Sequence, residues 1–110
     1  MATWPDVLRL ALGLPGAEES THYGKPAVKV RGRFFTCISS HEPGALVVPC
    51  PAEEARLLCA ALPSVYYLTP HYEGWDGVLA RLDAIDEEEL AGRLEDAYAY
   101  VVEKYRLSAD

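Results

Sequence analysis

Residues 24–35 read Gly-Lys-Pro-Ala-Val-Lys-Val-Arg-Gly-Arg-Phe-Phe. Two β-rich segments, Pro26–Arg31 and Arg33–Ser39, meet with only Arg31-Gly32 at the junction. A link that short joins strands as a hairpin, with Gly32 taking the positive φ. Strands tied by such a turn run antiparallel, so the segment commits the chain to an antiparallel sheet. Strict alternation puts Val28 and Val30 on one face, with Lys29 and Arg31 on the other. It also sets Phe34, Thr36 and Ile38 against Phe35 and Cys37. Only one of the two Phe rings can then enter a one-sided core.

The flanking sequence supplies helices. Thr3-Trp-Pro-Asp6 starts the first: Thr caps, Pro stands at the first helical position and Asp is three after the cap. Val7, Leu10, Ala11 and Leu14 form its apolar face, and Gly13 with Pro15-Gly16 stops it. Glu18–Tyr23 is extended or a short strand. His41-Glu-Pro-Gly44 is a turn, and Ala45–Pro49 is a further strand of the meander. Pro51, Glu53 and Glu54 start a second helix, buried through Ala55, Leu58, Cys59 and Leu62 and ended by Pro63. Val65–Leu68 and Val78–Leu82 read as strands around a loop, Thr69–Gly77. Asp86 with Glu89 is a capping box. The last helix runs from there to about Arg106, with Leu90, Leu94, Ala97, Tyr98, Val101 and Tyr105 as its core stripe. The order is α-β-β-β-α-β-β-α, with an optional short strand near residue 20. The expected fold is α+β in two layers, an antiparallel sheet covered on one face by helices.

A chain of 110 residues is expected to form a single domain, residues 1–110. No apolar run approaches the roughly 20 residues of a membrane span. Asp6 and Arg9 interrupt the only apolar stretch near the N-terminus, so no targeting segment is visible and the expected location is cytoplasmic. Cys37, Cys50 and Cys59 are odd in number with no close pair, which argues against a disulfide framework or a paired-cysteine zinc site. The formal net charge is −7, yet it is unevenly spread. Residues 83–110 hold nine acids against three bases, whereas residues 20–41 hold four bases and no acid.

Those four bases, Lys25, Lys29, Arg31 and Arg33, are the candidate nucleic-acid contacts. Such a hairpin tip would meet phosphates as a wing, positioning the protein without reading sequence. The same residues also serve as the solvated outer face of a sheet. The second candidate set lies in 66–75, where Tyr67, His71, Tyr72 and Trp75 would bind a ligand or partner. Aromatic residues with a polar handle suit such a surface, although they also cap the end of a core. His22, His41 and His71 are far apart in sequence with no metal-ligand spacing, so no metal or other cofactor is expected. No nucleophile signature is present, and Glu18-Glu19 point to opposite faces of an extended segment. A catalytic role is therefore not expected.

Four pieces of the chain together resemble the MmcQ/YjbR family of small bacterial proteins. They are Leu12-Gly-Leu-Pro-Gly-Ala-Glu-Glu19, Gly24–Phe35, Thr69-Pro-His-Tyr-Glu-Gly-Trp75, and the tail around Leu82, Asp86, Glu89, Leu90, Ala97 and Tyr98. The resemblance implies a two-layer α+β domain similar to secretion-chaperone-like and frataxin-like folds. It also implies the DNA-binding label that family members often carry, and it implies no catalytic activity. Val28 stands where the family often has Phe, a change that bears on packing. The resulting expectation is a non-enzymatic binding domain. Its partner is either DNA, held weakly and in a salt-sensitive way by the basic hairpin 25–35, or another protein or peptide held by the aromatic loop and the open sheet face. No membrane partner is expected, and the oligomeric state is left open.

Overall fold

In a computed structural model, which describes residues 1–107, the sheet begins with two successive hairpins. Strand β1 (Ala17–His22) pairs antiparallel with β2 (Lys25–Val30), and β2 with β3 (Arg33–Ile38). Each connection has two residues, and both residues of each turn have positive φ: Tyr23 at 51° with Gly24 at 77°, and Arg31 at 49° with Gly32 at 83°. That is the type I′ pattern, whose twist matches the strands it joins. The optional strand near residue 20 is thus a full six-residue strand at the sheet edge.

The remaining elements follow the expected order. Helix α1 spans Trp4–Leu12, β4 Ala45–Pro49, α2 Ala52–Ala61, β5 Tyr66–Tyr67, β6 Gly77–Arg81 and α3 Glu87–Tyr105. The strands form one six-stranded sheet in the order β1-β2-β3-β4-β6-β5, and every neighbouring pair is antiparallel. The caps expected at Thr3 and Asp86 are present, whereas Pro51 stands just before α2 as its N-cap (ψ 147°) rather than at its first helical position. The Thr3 amide and hydroxyl both donate to the Asp6 carboxylate, and Asp86 accepts from the Glu89 amide at 2.8 Å. No helix among the described residues is long and apolar enough to cross a membrane.

All three helices lie on one face of the sheet. Val7 and Ala11 of α1 and Leu90, Leu94, Ala97 and Val101 of α3 close over Val28, Val30, Phe35, Leu46, Val48, Val78 and Ala80. The second helix is only half docked. Ala55 is buried and Leu58 and Cys59 pack at the margin, but Leu62 is 38% exposed. Leu62 leaves the expected stripe because the helix stops at Ala61 and Leu62 caps it in a non-helical conformation (φ −132°, ψ 68°). Tyr105 also leaves its stripe, and its ring lies under the Arg33 guanidinium at 4.6 Å.

Strict alternation fails in β3. Val28 pairs with Thr36 and Lys29 with Phe34, so Phe35 is an extra residue, a β-bulge. The bulge reverses the facing of the strand at that point. Phe35 joins Val28 and Val30 in the helix-side core, and its ring meets Tyr98 edge-on at 6.1 Å. Phe34 and Cys37 share the opposite face, which corrects the pairing of Phe35 with Cys37 expected from alternation. Next to the bulge, the buried Thr36 hydroxyl donates to the Val47 carbonyl at 2.7 Å.

Candidate aromatic and histidine-lined cavity

The face without helices carries its own apolar patch: Ala27, Cys37, Ala45, Val47 and Leu79. Exposed to water, such a patch would be costly. The chain covers it with the loop between β5 and β6. Phe34, Tyr67, Tyr72 and Trp75 pack against the patch. Trp75 lies so close over Gly77 that a β-carbon there would stand 1.9 Å from its Cζ3 atom. Glycine at 77 is therefore required by the close approach of the indole, not by backbone conformation. Tyr72 and Trp75 meet edge-on at 6.1 Å, and Trp75 meets Phe34 at 6.4 Å.

Ser39, at the end of β3, fastens the loop. Its Oγ accepts the amides of His41 (3.1 Å) and Glu42 (2.9 Å) and lies 2.7 Å from the Tyr72 hydroxyl. A hydroxyl oxygen has two lone pairs and one hydrogen. Two amides occupy the lone pairs, so Ser39 donates to Tyr72 and the Tyr72 hydrogen stays available. Asp76 adds a second tie, accepting from the Tyr100 hydroxyl at 3.3 Å.

Between this loop and strands β1 to β4 lies a cavity of about 430 Å³. Its floor includes Cys37 and Val47, and Phe34, Tyr72 and Trp75 form aromatic walls. His22, His41 and His71, the chain's only histidines, all line it, along with Tyr23 and Ser40. The imidazoles of His41 and His71 lie with ring centroids 3.7 Å apart and planes tilted by 40°, and the His22 ring lies 4.8 Å from that of Phe34. Tyr23 projects from the first hairpin turn, 83% exposed, with its ring against His22 at 4.6 Å. Among the described lining residues there is no Asp, Glu, Lys or Arg. Burial pushes the Cys37 thiol up to about 11, which leaves it protonated at neutral pH. Among the described residues, no group of three His, Cys, Asp or Glu is arranged to hold a metal ion.

Of the aromatic set expected from the sequence, His71, Tyr72 and Trp75 line the cavity. Tyr67 packs on the same apolar patch from β5, with the Arg81 guanidinium 4.0 Å above its ring, outside the cavity lining. The basic set is not brought together. Lys25 and Lys29 share the open face with Ala27 by strand alternation, near opposite ends of β2. Arg31 occupies the second turn, with its side chain lying over Gly16. Arg33, paired across from Val30, lies against the ring of Tyr105, a residue that also lines the cavity. The hairpin tip therefore presents no single four-charge patch.

His22, His41, Tyr23 and Phe34 line the cavity with no sequence signal to mark them as such. His22 stands four positions before Pro26 on an edge strand, and His41 sits in a turn; neither place carries a spacing signal. The strand order and the fold-back of the loop bring them together.

The architecture defines a class of small α+β domains, with an antiparallel sheet backed by helices on one face and closed by a loop on the other. A family model described as YjbR matches residues 12–100, and the chain belongs to the YjbR family. Two curated relatives, the uncharacterized proteins Rv2570 of Mycobacterium tuberculosis and Mb2600 of Mycobacterium bovis, are each 30% identical over 123 residues. Each alignment covers 99% of this chain and 95% of the relative. The crystal structure of Deinococcus radiodurans protein DR2400, assigned to the domain DUF419, superposes with a TM-score of 0.80 at 22% identity. It covers 96% of this chain and 82% of the other, and it establishes the likeness of fold.

Proposed function

We propose that this chain is a non-enzymatic binding domain that takes its ligand in the aromatic and histidine-lined cavity of the open sheet face. One observation carries the reading: the loop folds back so that His22, His41 and His71 line one cavity with Phe34, Tyr72 and Trp75. A concave site with aromatic walls and a few convergent polar groups is the usual form of a ligand pocket. Its volume, about 430 Å³, lies in the range that small ligands occupy.

A binding role is favoured over catalysis by the state of the thiol in the lining. Cys37 is buried and its thiol is held protonated, the condition of an inert cysteine. DNA binding through the hairpin has less support. Arg33 and Lys29 point to opposite faces, and a dispersed set of bases on an acidic chain gains little from phosphate neutralisation.

The test is a fragment screen followed by protein NMR, with Phe34→Ala and Trp75→Ala as comparison variants. Fragment hits should shift the ring signals of His22, His41 and His71 and the Trp75 indole, and both substitutions should weaken them. Hits scattered away from these signals would count against the cavity. Binding of a DNA duplex at low salt, abolished by a Lys29→Glu/Arg31→Glu double substitution, would restore the hairpin reading.

A further inference from the structure

We infer that the ligand of this cavity is a small aromatic carboxylate: a planar ring system carrying one anionic, acceptor-only group. The inference rests on the binding role proposed above and names the chemistry it selects. The aromatic part follows from the walls. Phe34 and Tyr72 each meet Trp75 edge-on, and the three rings line a cavity of about 430 Å³. A planar ring stacks against such surfaces better than an aliphatic group of equal size.

The carboxylate follows from the polar groups. Each imidazole, in either charge state, offers at least one N–H donor. Three imidazoles line the site, and two of them, His41 and His71, adjoin with centroids 3.7 Å apart. Tyr72 adds a fourth donor, because Ser39 donates to its oxygen and leaves its own hydrogen unspent. The Ser40 hydroxyl is nearby in the lining. Against these donors the described lining holds no carboxylate to receive a cation. Lys25, cross-strand partner of His22, stands on the same face and adds a positive flank. In a chain of net charge −7, the described lining of this hollow carries donors and no acid. A cationic ring would find no counter-charge in this lining, and a neutral one would leave its donors partly unmatched.

Three probes with the same ring separate these cases: 1-naphthylacetate, 1-naphthylacetamide and 2-(1-naphthyl)ethylammonium, each titrated into the full chain by calorimetry and NMR. The acid should bind about ten-fold or more tightly than the amide or the amine, the margin expected of charge-assisted hydrogen bonds. His41→Ala/His71→Ala should weaken the acid by a clearly larger factor than the amide, narrowing or removing the gap between them. Both residues are exposed, so the fold should tolerate the change, and circular dichroism checks this. Tyr72→Phe, which keeps the ring, should weaken the acid several-fold. If all three probes bind the cavity equally, or the amine binds best, the carboxylate assignment is overturned and the binding role stands. If none of them shifts the Trp75 indole, the binding role falls with it.

Discussion

The Ser39 hydroxyl lies 2.7 Å from the Tyr72 hydroxyl, joining the end of β3 to the aromatic loop. The bond crosses a separation of 33 residues, and the same Ser39 oxygen holds the turn that carries His41. One side chain thus sets the position of two walls of the cavity. Ser39→Ala should lower stability by about 1–3 kcal/mol, since two amides and a phenol lose their partner. Tyr72→Phe should lower it by roughly 1 kcal/mol. Urea denaturation of both single variants and the double variant checks the coupling, and strictly additive losses would show that the tie is not an energetic one.

Gly77→Ala tests the closure of the loop on the sheet. The added methyl would meet Trp75 at 1.9 Å, so the indole must leave its place. We expect a loss of roughly 1–3 kcal/mol from overpacking. We also expect a red-shifted Trp75 emission, best read in a Trp4→Phe background. An unchanged spectrum would contradict the packing of Trp75 over Gly77.

The bulge in β3 makes the two adjacent Phe residues unequal. Phe35 is fully buried in the helix-side core, so Phe35→Ala should cost about 3–5 kcal/mol. Phe34 is half-buried on the cavity side, so Phe34→Ala should cost well under that and act mainly on ligand affinity. Thermal melts paired with the probe titrations separate the two. Equal destabilisation by both would argue against the bulge.

Tyr23 adopts a left-handed backbone conformation, φ 51°, that disfavours a bulky side chain. Asn suits that position in a type I′ turn, and Tyr23→Asn should raise stability by up to about 1 kcal/mol. Tyr23 lines the cavity, so the same change should weaken the ligand. Stability and affinity moving together in the same direction would contradict this account.

Burial pushes the thiols of Cys37 and Cys50 up to about 11 and about 12. A folded-state pKa raised above the unfolded one gives stability that is fully present below the unfolded thiol range. That stability is lost as pH rises through the folded values. Thiol burial should therefore not limit stability up to about pH 8.5, the ordinary thiol pKa, and should reduce it progressively toward pH 12. Alkylation by iodoacetamide at pH 8 should mark Cys59, which is only half-buried, well before the other two. Mass spectrometry of the alkylated peptides gives the order.

Much of the fold was legible in local sequence. Thr3 with Asp6 and Asp86 with Glu89 mark helix starts through their own side-chain bonds. Arg31-Gly32 marks a hairpin because few residue pairs tolerate two positive φ angles in succession. The spacing of Leu90, Leu94, Ala97 and Val101 marks a buried helix face, since 3.6 residues per turn fixes which residues align. In each of these cases the information lies within a few residues of the feature.

The cavity was not legible in this way. The aromatic loop announced itself by composition, but its position over the open face depends on Ser39, Gly77 and Tyr100, none of them adjacent to the others. The facing of Phe34 depends on one unpaired residue, which alternation cannot register. The hairpin of residues 24–35 shows both sides of this division. Its sequence determined that two strands would pair across a two-residue turn, because backbone sterics act locally. Only the tertiary structure decided which of its side chains would work together. There the bulge, the helices and the returning loop drew Phe34 into the cavity and kept Lys29 and Arg33 on opposite faces of the sheet.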